Sequence, residues 1–165
     1  MRSKLFASTF AIVLGLATPV VSAIVFPDIV MAQTVEEKKK EADRLLKKGN
    51  IQLETNKHKE ALSLLEQSLK LYQELRDRLG EGQVLKSLGN VARDLKQYEK
   101  ALGLFQQSLS IAQEINNRDL EARSLNNVGN SYENLNKFEK AVEYYKQSLS
   151  IIREPAILNS KIRKN

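Results

Sequence analysis

Three asparagines carry the first chemical signal in this chain. Asn50, Asn90 and Asn130 each follow a glycine, at Gly49, Gly89 and Gly129, and stand forty residues apart. An amide side chain offers two N–H donors and a carbonyl acceptor in one plane, enough to hold a peptide backbone at both its C=O and its N–H. Arginine and lysine would add charge-assisted bonds to carboxylates. Within a helix, asparagine is mildly less favourable than alanine, so ligand binding would account for one after each glycine. A structural reading stands beside it. The three could bond between adjacent helices, and duplication of a repeat would copy one such use three times.

Catalysis and metal binding find little material. The chain has one histidine, no cysteine and no tryptophan. His58 occupies the register of Tyr98 and Phe138, which points to packing. Zinc needs about four ligands from Cys, His and carboxylates, and no such set is present. The acids are spread over polar stretches, as in Glu36-Glu37 and Glu60/Glu66, where they serve as solvated surface or i,i+4 pairs. Gly80-Glu81-Gly82 reads as a helix connector, since its spacing fits neither common nucleotide motif. Neither an enzyme nor a cofactor is expected.

The elements that would position the asparagines follow from the same period. Ala61, Ala101 and Ala141 repeat at forty residues, as do Gln67-Ser68-Leu69, Gln107-Ser108-Leu109 and Gln147-Ser148-Leu149. A period between about 20 and 50 residues marks a stacked repeat array, whose product is usually a binding surface. Beyond Gln33 the only proline is Pro155, and apolar residues recur at helical spacing. The pattern predicts helices at about 35–54, 57–76, 80–95, 98–115, 119–135 and 138–153, the first opened by a capping box at Thr34-Val35-Glu36-Glu37. Connectors at Thr55-Asn56, Lys96-Gln97 and Asn136-Lys137 within pairs, and at Leu79-Gly80 and Asn116-Asn117 between them, are short enough to force antiparallel neighbours. Three helical hairpins result.

Leu45, Leu85 and Leu125 then face inward on the first helices. Leu62, Leu102 and Val142, beside Leu65, Phe105 and Tyr145, do so on the second. Leu69, Leu109 and Leu149 continue that stripe into Leu71, Ile111 and Ile151. Each such side chain contributes roughly 1.5–3 kcal/mol when fully buried, and no hairpin buries both its faces alone. Glycine in a helix interior costs about 0.8–1 kcal/mol against alanine. Three at one register therefore predict close helix contact, across from Ala61, Ala101 and Ala141.

The 165 residues allow one domain, or one domain plus a processed segment. Arg2 and Lys4 precede an apolar run from Leu5 to about Val21, the pattern of an export signal over residues 1–32. Cleavage would fall after Ala23 or Ala32, the latter leaving the polar, helix-forming body that begins at Gln33, in the periplasm or secreted. The alternative is an uncleaved anchor over residues 5–25, near the ~20 residues that span a bilayer, with the body facing outward. Without cysteine, neither a lipid-modified cysteine nor a disulfide can form. Removing residues 1–32 takes Arg2, Lys4 and Asp28 from a chain of net charge +6. The remaining charge is moderate and interspersed, so nucleic acid is not an expected partner.

These residues also carry a resemblance. Leu85, Leu88-Gly89, Leu95, Tyr98, Ala101 and Phe105, then Leu125, Val128-Gly129, Tyr132, Phe138, Ala141 and Tyr145, resemble the tetratricopeptide repeat (TPR). The spacing is most similar to the forty-residue variety of kinesin light chains and bacterial arrays. The first unit departs at Lys48, Gln52 and Leu65, as an end unit with one solvated face would. The family's proline near the end of the second helix has no match at Gln73 or Gln113, and Pro155 lies slightly late.

The resemblance implies an all-α fold, a right-handed superhelical stack (α-solenoid) of three antiparallel hairpins, with units at about 42–81, 82–121 and 122–154 after an export signal. It also implies a concave groove on the first helices, lined by Asn50, Gln83, Lys86, Asn90, Arg93, Arg123, Asn126, Asn127 and Asn130. The partner would be a protein or a peptide. Some members clamp a C-terminal carboxylate with a lysine, two asparagines, and a lysine and arginine from a third unit. Lys86, Asn90 and Asn127 match the first three roles, but no following unit supplies the rest, so that clamp is not expected. Residues 155–165 would form a partial capping helix, with Ile157, Leu158 and Ile162 toward the third hairpin, or a basic tail. With three units, about the fewest that stand alone, end-to-end self-association is also an expectation.

Overall fold

The computed structural model describes residues 27–162, and side chains from residue 34 to residue 153. Six helices follow one another: α1 (Pro27–Glu54), α2 (His58–Glu74), α3 (Arg78–Asp94), α4 (Tyr98–Glu114), α5 (Arg118–Asn134) and α6 (Phe138–Ile162). There is no strand among the described residues. The expected export signal or anchor, up to residue 26, lies outside them. No helix of the described residues is long and apolar enough to cross a membrane.

The backbone period is twenty residues. Each connector has three residues, and the middle one takes a left-handed conformation: Asn56, Arg76, Lys96, Asn116 and Asn136, with φ from 54° to 61°. The third residue then returns its N–H to a carbonyl of the helix it has left, as Lys57 does to Gln52 and Asp77 to Tyr72, both at 2.9 Å. These bonds satisfy carbonyls that a helix end would otherwise leave open.

The expected connector at Leu79-Gly80 is not where the chain turns. The connector is Leu75-Arg76-Asp77 instead, and Gly80-Glu81-Gly82 lies inside the first turns of α3. Arg76 adopts the left-handed conformation despite its side chain. Asp77 then caps α3, its carboxylate accepting from the Gly80 N–H at 2.9 Å. Asn117 caps α5 in the same way through the Leu120 N–H, at 2.9 Å. Lys57 and Gln97, which precede α2 and α4, make no side-chain cap. The alternation of capped and uncapped starts helps turn a backbone period of twenty into a chemical period of forty.

The start of α1 also differs from expectation. The described part of α1 already begins at Pro27. Thr34 therefore lies within α1 rather than at its start, and the helix spans the point after Ala32.

Each helix packs on its sequence neighbours, so the hairpins α1–α2, α3–α4 and α5–α6 stack in order. The first helices of successive hairpins also touch one another, α1 with α3 and α3 with α5, whereas among the described residues the second helices do not. The stack therefore curves with α1, α3 and α5 on its inner side.

Two repeated contacts lock each hairpin. A Cβ placed on Gly49 would lie 2.8 Å from the Leu65 side chain, on Gly89 2.5 Å from the Phe105 ring, and on Gly129 2.6 Å from the Tyr145 ring. The glycines thus make room for a bulky side chain of the facing helix, Leu65, Phe105 or Tyr145, not chiefly for Ala61, Ala101 and Ala141 as the spacing suggested. One turn away, Ser68, Ser108 and Ser148 donate to the backbone carbonyls of Ala42, Gly82 and Ala122, each at 2.8 Å. All three serines are buried. A hydroxyl in that position is satisfied only because the facing helix presents a small residue.

The third hairpin departs from the expected core. Val142 and Leu149, read as inward-facing, are exposed, because their stripe faces the side on which a following hairpin would lie. The helix α6 itself runs through Pro155 to Ile162 without a break at residue 154.

Candidate partner-binding groove

The inner side of the stack carries two adjoining hollows. One, of about 350 Å³, is bounded by Asn50 of α1 and by Gln83, Lys86 and Arg123 of α3 and α5. The other, of about 470 Å³, is bounded by Lys86, Asn90, Arg123, Asn126 and Asn127, with Ser148 and Ile152 of α6 at its far edge. Lys86, Asp119 and Arg123 border both. Helical spacing explains this arrangement. Gln83, Lys86 and Asn90 recur at three- and four-residue steps on α3, as do Arg123, Asn126, Asn127 and Asn130 on α5, so each set lies along one face.

Seven of the nine residues named from the sequence thus border the hollows. Arg93 and Asn130 do not. The Arg93 guanidinium turns to Asp94, with Nη2 3.2 Å from the carboxylate. Asn130 is held in its own hairpin: its Oδ1 accepts from the Tyr145 hydroxyl at 2.6 Å, and its backbone carbonyl accepts from Asn134 at 2.8 Å. The Tyr145 hydroxyl is also 2.6 Å from Glu133. Burial and that carboxylate push its pKa up to about 12. The repeated asparagine therefore has two environments. Asn50 and Asn90 stand at the hollows, whereas Asn130 serves the seam.

Electrostatics separate the cations. Arg123 is paired with Asp119 one turn earlier, at 2.9 Å. Lys86 makes no ion pair or hydrogen bond among the described residues and is more than half buried. Burial lowers its pKa, the nearby Arg123 adds to the effect, and Asp119 opposes it. A cation held in such a place disfavours its own charge. An anionic group entering the hollow would relieve it.

Asp119, Asn117, Leu46, Leu79 and Ser87 also border the hollows and were not picked out from the sequence. Asp119 was the most accessible of these, standing four residues before Arg123 at helical pairing distance. Leu46 and Leu79 gave no signal, since apolar residues on a groove wall look like core residues in sequence. Among the described residues, no group of three or more His, Cys, Asp or Glu is placed to hold a metal. His58 is partly buried, with its Nδ1 lacking a hydrogen-bond partner.

The tetratricopeptide repeat profile matches residues 41–114 and again 80–154, two overlapping spans that together take in all three hairpins. The chain belongs to the tetratricopeptide repeat family. What such a TPR stack supplies is a non-catalytic scaffold for protein interaction.

Solved structures agree on the fold. The TPR domain of Arabidopsis FLU aligns with a TM-score of 0.66 at 22% identity, over 70% of this chain and 98% of that one. Aspartyl phosphate phosphatase F from Bacillus subtilis aligns with a TM-score of 0.68 at 24% identity, over 73% of this chain and 32% of that one. The apo form of RapI aligns with a TM-score of 0.67 at 21% identity, over 81% of this chain and 52% of that one. This TPR chain thus spans about a third of the second protein and about half of the third. No curated protein matches it.

Proposed function

We propose that this TPR array binds an extended segment of a partner protein along the inner hollows, and that the segment presents a carboxylate to Lys86. The observation that carries this reading is Lys86 itself, a partly buried cation that makes no ion pair among the described residues, set between amide side chains at Gln83 and Asn90. Asn50, Asn90, Asn126 and Asn127 would take the backbone of the segment, each able to donate and to accept. The units would be of the forty-residue variety, and the module would act after export, with residues 1–32 removed. The alternative is a structural or assembly factor of an envelope complex, tethered by an anchor over residues 5–25 and acting through the open ends of the stack rather than through its groove.

The groove assignment is tested by charge reversal at Lys86, Arg93 and Arg123, singly and together. Reversal at Lys86 and Arg123 lowers affinity for a partner identified by pull-down, with helicity by circular dichroism unchanged. Arg93→Glu has the smallest effect, because Arg93 lies off the hollows. Unchanged affinity in the triple variant would reject the groove. Amino-terminal sequencing of the mature protein tests the export reading: a start at Gln33 or Ile24 supports it, and an intact Met1 supports the anchor.

A further inference from the structure

We propose a second docking surface, which meets the groove only at Ile152: the exposed stripe of α6 receives an amphipathic helix from another protein, one that brings a carboxylate to Arg153. The two inner hairpins show what this face is shaped to hold. On α2 and α4 the stripe turned toward the next hairpin is covered by α3 and α5. Tyr72 is 1% exposed, Ala112 0% and Leu109 9%. At the matching positions of α6, Ile152 is 61% exposed and Leu149 43%; Val142, whose counterparts Leu62 and Leu102 are partly buried, is 47% exposed. The side chains that seal two seams stand open at the third position.

The polar contact beside the stripe repeats as well. Gln73 Nε2 donates to Glu81 at 3.3 Å, and Gln113 Nε2 donates to Glu121 at 3.4 Å, each glutamate being supplied by the incoming helix. The equivalent position on α6 is Arg153, exposed and without a partner among the described residues. A guanidinium there asks for a carboxylate more strongly than an amide does.

The covering helices give the complementary pattern. Gly80, Val84 and Leu88 on α3, and Leu120, Ser124 and Val128 on α5, are small or apolar at i, i+4 and i+8, with the acid at i+1. Gly80 meets the Tyr72 ring, and Ser124 meets Ser108 at 2.9 Å. The occupant is a helix with this pattern.

A second copy of the chain, stacked head to tail, is not that helix. Its α1 carries the acid, Glu41, but Lys40, Arg44 and Lys48 stand at the stripe positions, all exposed. Stacking them on Val142, Leu149 and Ile152 would strip water from three cations, of which Lys40 and Arg44 hold Glu36 and Glu41 at the surface, and the apolar face supplies no further partner.

The test uses the full chain and a fluorescein-labelled, helix-stapled peptide of residues 78–94, which has the required pattern. Fluorescence anisotropy is expected to show saturable binding. Combined Val142→Glu and Leu149→Glu substitutions weaken it about tenfold or more. Arg153→Glu weakens it about threefold, and a peptide carrying Glu81→Arg regains the loss. Lys86→Glu leaves the affinity unchanged, which separates this surface from the groove. The substituted α6 residues are exposed, so circular dichroism should show helicity retained. Failure of the peptide to bind the wild-type chain overturns the proposal, as does equal affinity in the double variant or loss of binding in Lys86→Glu. Sedimentation showing a dimer that Leu149→Glu dissolves would also overturn it, because a second copy would then occupy the face.

Discussion

Two residues recur with the same forty-residue period, and the structure treats them differently. The serines Ser68, Ser108 and Ser148 make the same bond in all three hairpins, each to a backbone carbonyl 26 residues earlier and each at 2.8 Å. The asparagines Asn50, Asn90 and Asn130 do not share a setting. Two border the inner hollows, and one is tied to Tyr145. A repeated residue whose partner also repeats belongs to the scaffold. Where the residue repeats and its partner does not, the position has been free to serve something outside the hairpin.

The largest effect that would sharpen this contrast lies at the glycine of the middle seam. Gly89→Val would drive a branched side chain into the Phe105 ring, which lies 2.5 Å from any Cβ built there. Overpacking of this kind is expected to cost about 3 kcal/mol, read as a lower midpoint in urea denaturation. Gly103, with nothing within 4 Å of such a Cβ, is the control. Gly103→Ala should raise stability by up to about 1 kcal/mol through helix propensity alone. If both glycines respond alike, the seam reading fails.

Next in size is Ser108→Ala. Ser108 is fully buried, donates to the Gly82 carbonyl at 2.8 Å and lies 2.9 Å from the Ser124 hydroxyl. Removing it leaves buried polar groups without a partner, at a cost of about 1–3 kcal/mol. Asn90→Ala, on the hollow, should shift stability by no more than about 0.5 kcal/mol. Equal losses in the two variants would erase the distinction between scaffold and site.

Much of the scaffold was legible in the sequence, because burial and period are written in residue type. Six helices, three hairpins and the inward leucines at 45, 85 and 125 follow from spacing alone, and Leu45, Leu85 and Leu125 are indeed buried. The misplaced connector at Leu79-Gly80 shows the limit. Gly80 is needed instead for the Tyr72 ring, 2.2 Å from its would-be Cβ, a contact between residues that no local pattern announces. The role of Ser68, Ser108 and Ser148 stayed hidden for the same reason, since a hydroxyl and the carbonyl that accepts from it lie on different helices. At the groove, residue type pointed to the right helices. It could not separate Asn90 from Asn130, because their difference lies in whether Phe105 or Tyr145 stands opposite, and only the tyrosine has a hydroxyl to give.

A smaller effect belongs to the helix starts. Asp77→Ala removes the cap on α3 and should cost about 1 kcal/mol. Burial by itself would raise the Asp77 pKa, but hydrogen bonds from the Gly80 N–H and the Lys39 ammonium outweigh it and hold the carboxyl below its usual value. A carboxyl depressed on folding stabilises the native state above its unfolded pKa, near 3.9. That contribution is lost as pH falls through the lower folded value. The wild-type chain should therefore lose stability more steeply than the variant below about pH 4, by thermal melts across the acid range. Parallel curves would show that the cap carries no charge dependence.

The smallest expected change in stability has an unusual sign, and it tests the inner face most directly. Lys86→Met keeps the length of the side chain and removes its charge. In the free protein that charge is a burden, because burial and the neighbouring Arg123 both disfavour it. The variant should therefore be slightly more stable than wild type, by about 0.5 kcal/mol, while its affinity for a carboxylate-bearing partner falls. A residue kept for the scaffold would show the reverse, with stability lost on substitution as at Ser108. The two measurements can disagree in only one informative way: a more stable protein that binds no worse would mean that Lys86 faces solvent in the complex and the partner's anion lies elsewhere. Gain of stability together with loss of binding is what a site set into a scaffold requires, since an unpaired charge is retained against folding only where something else comes to neutralise it.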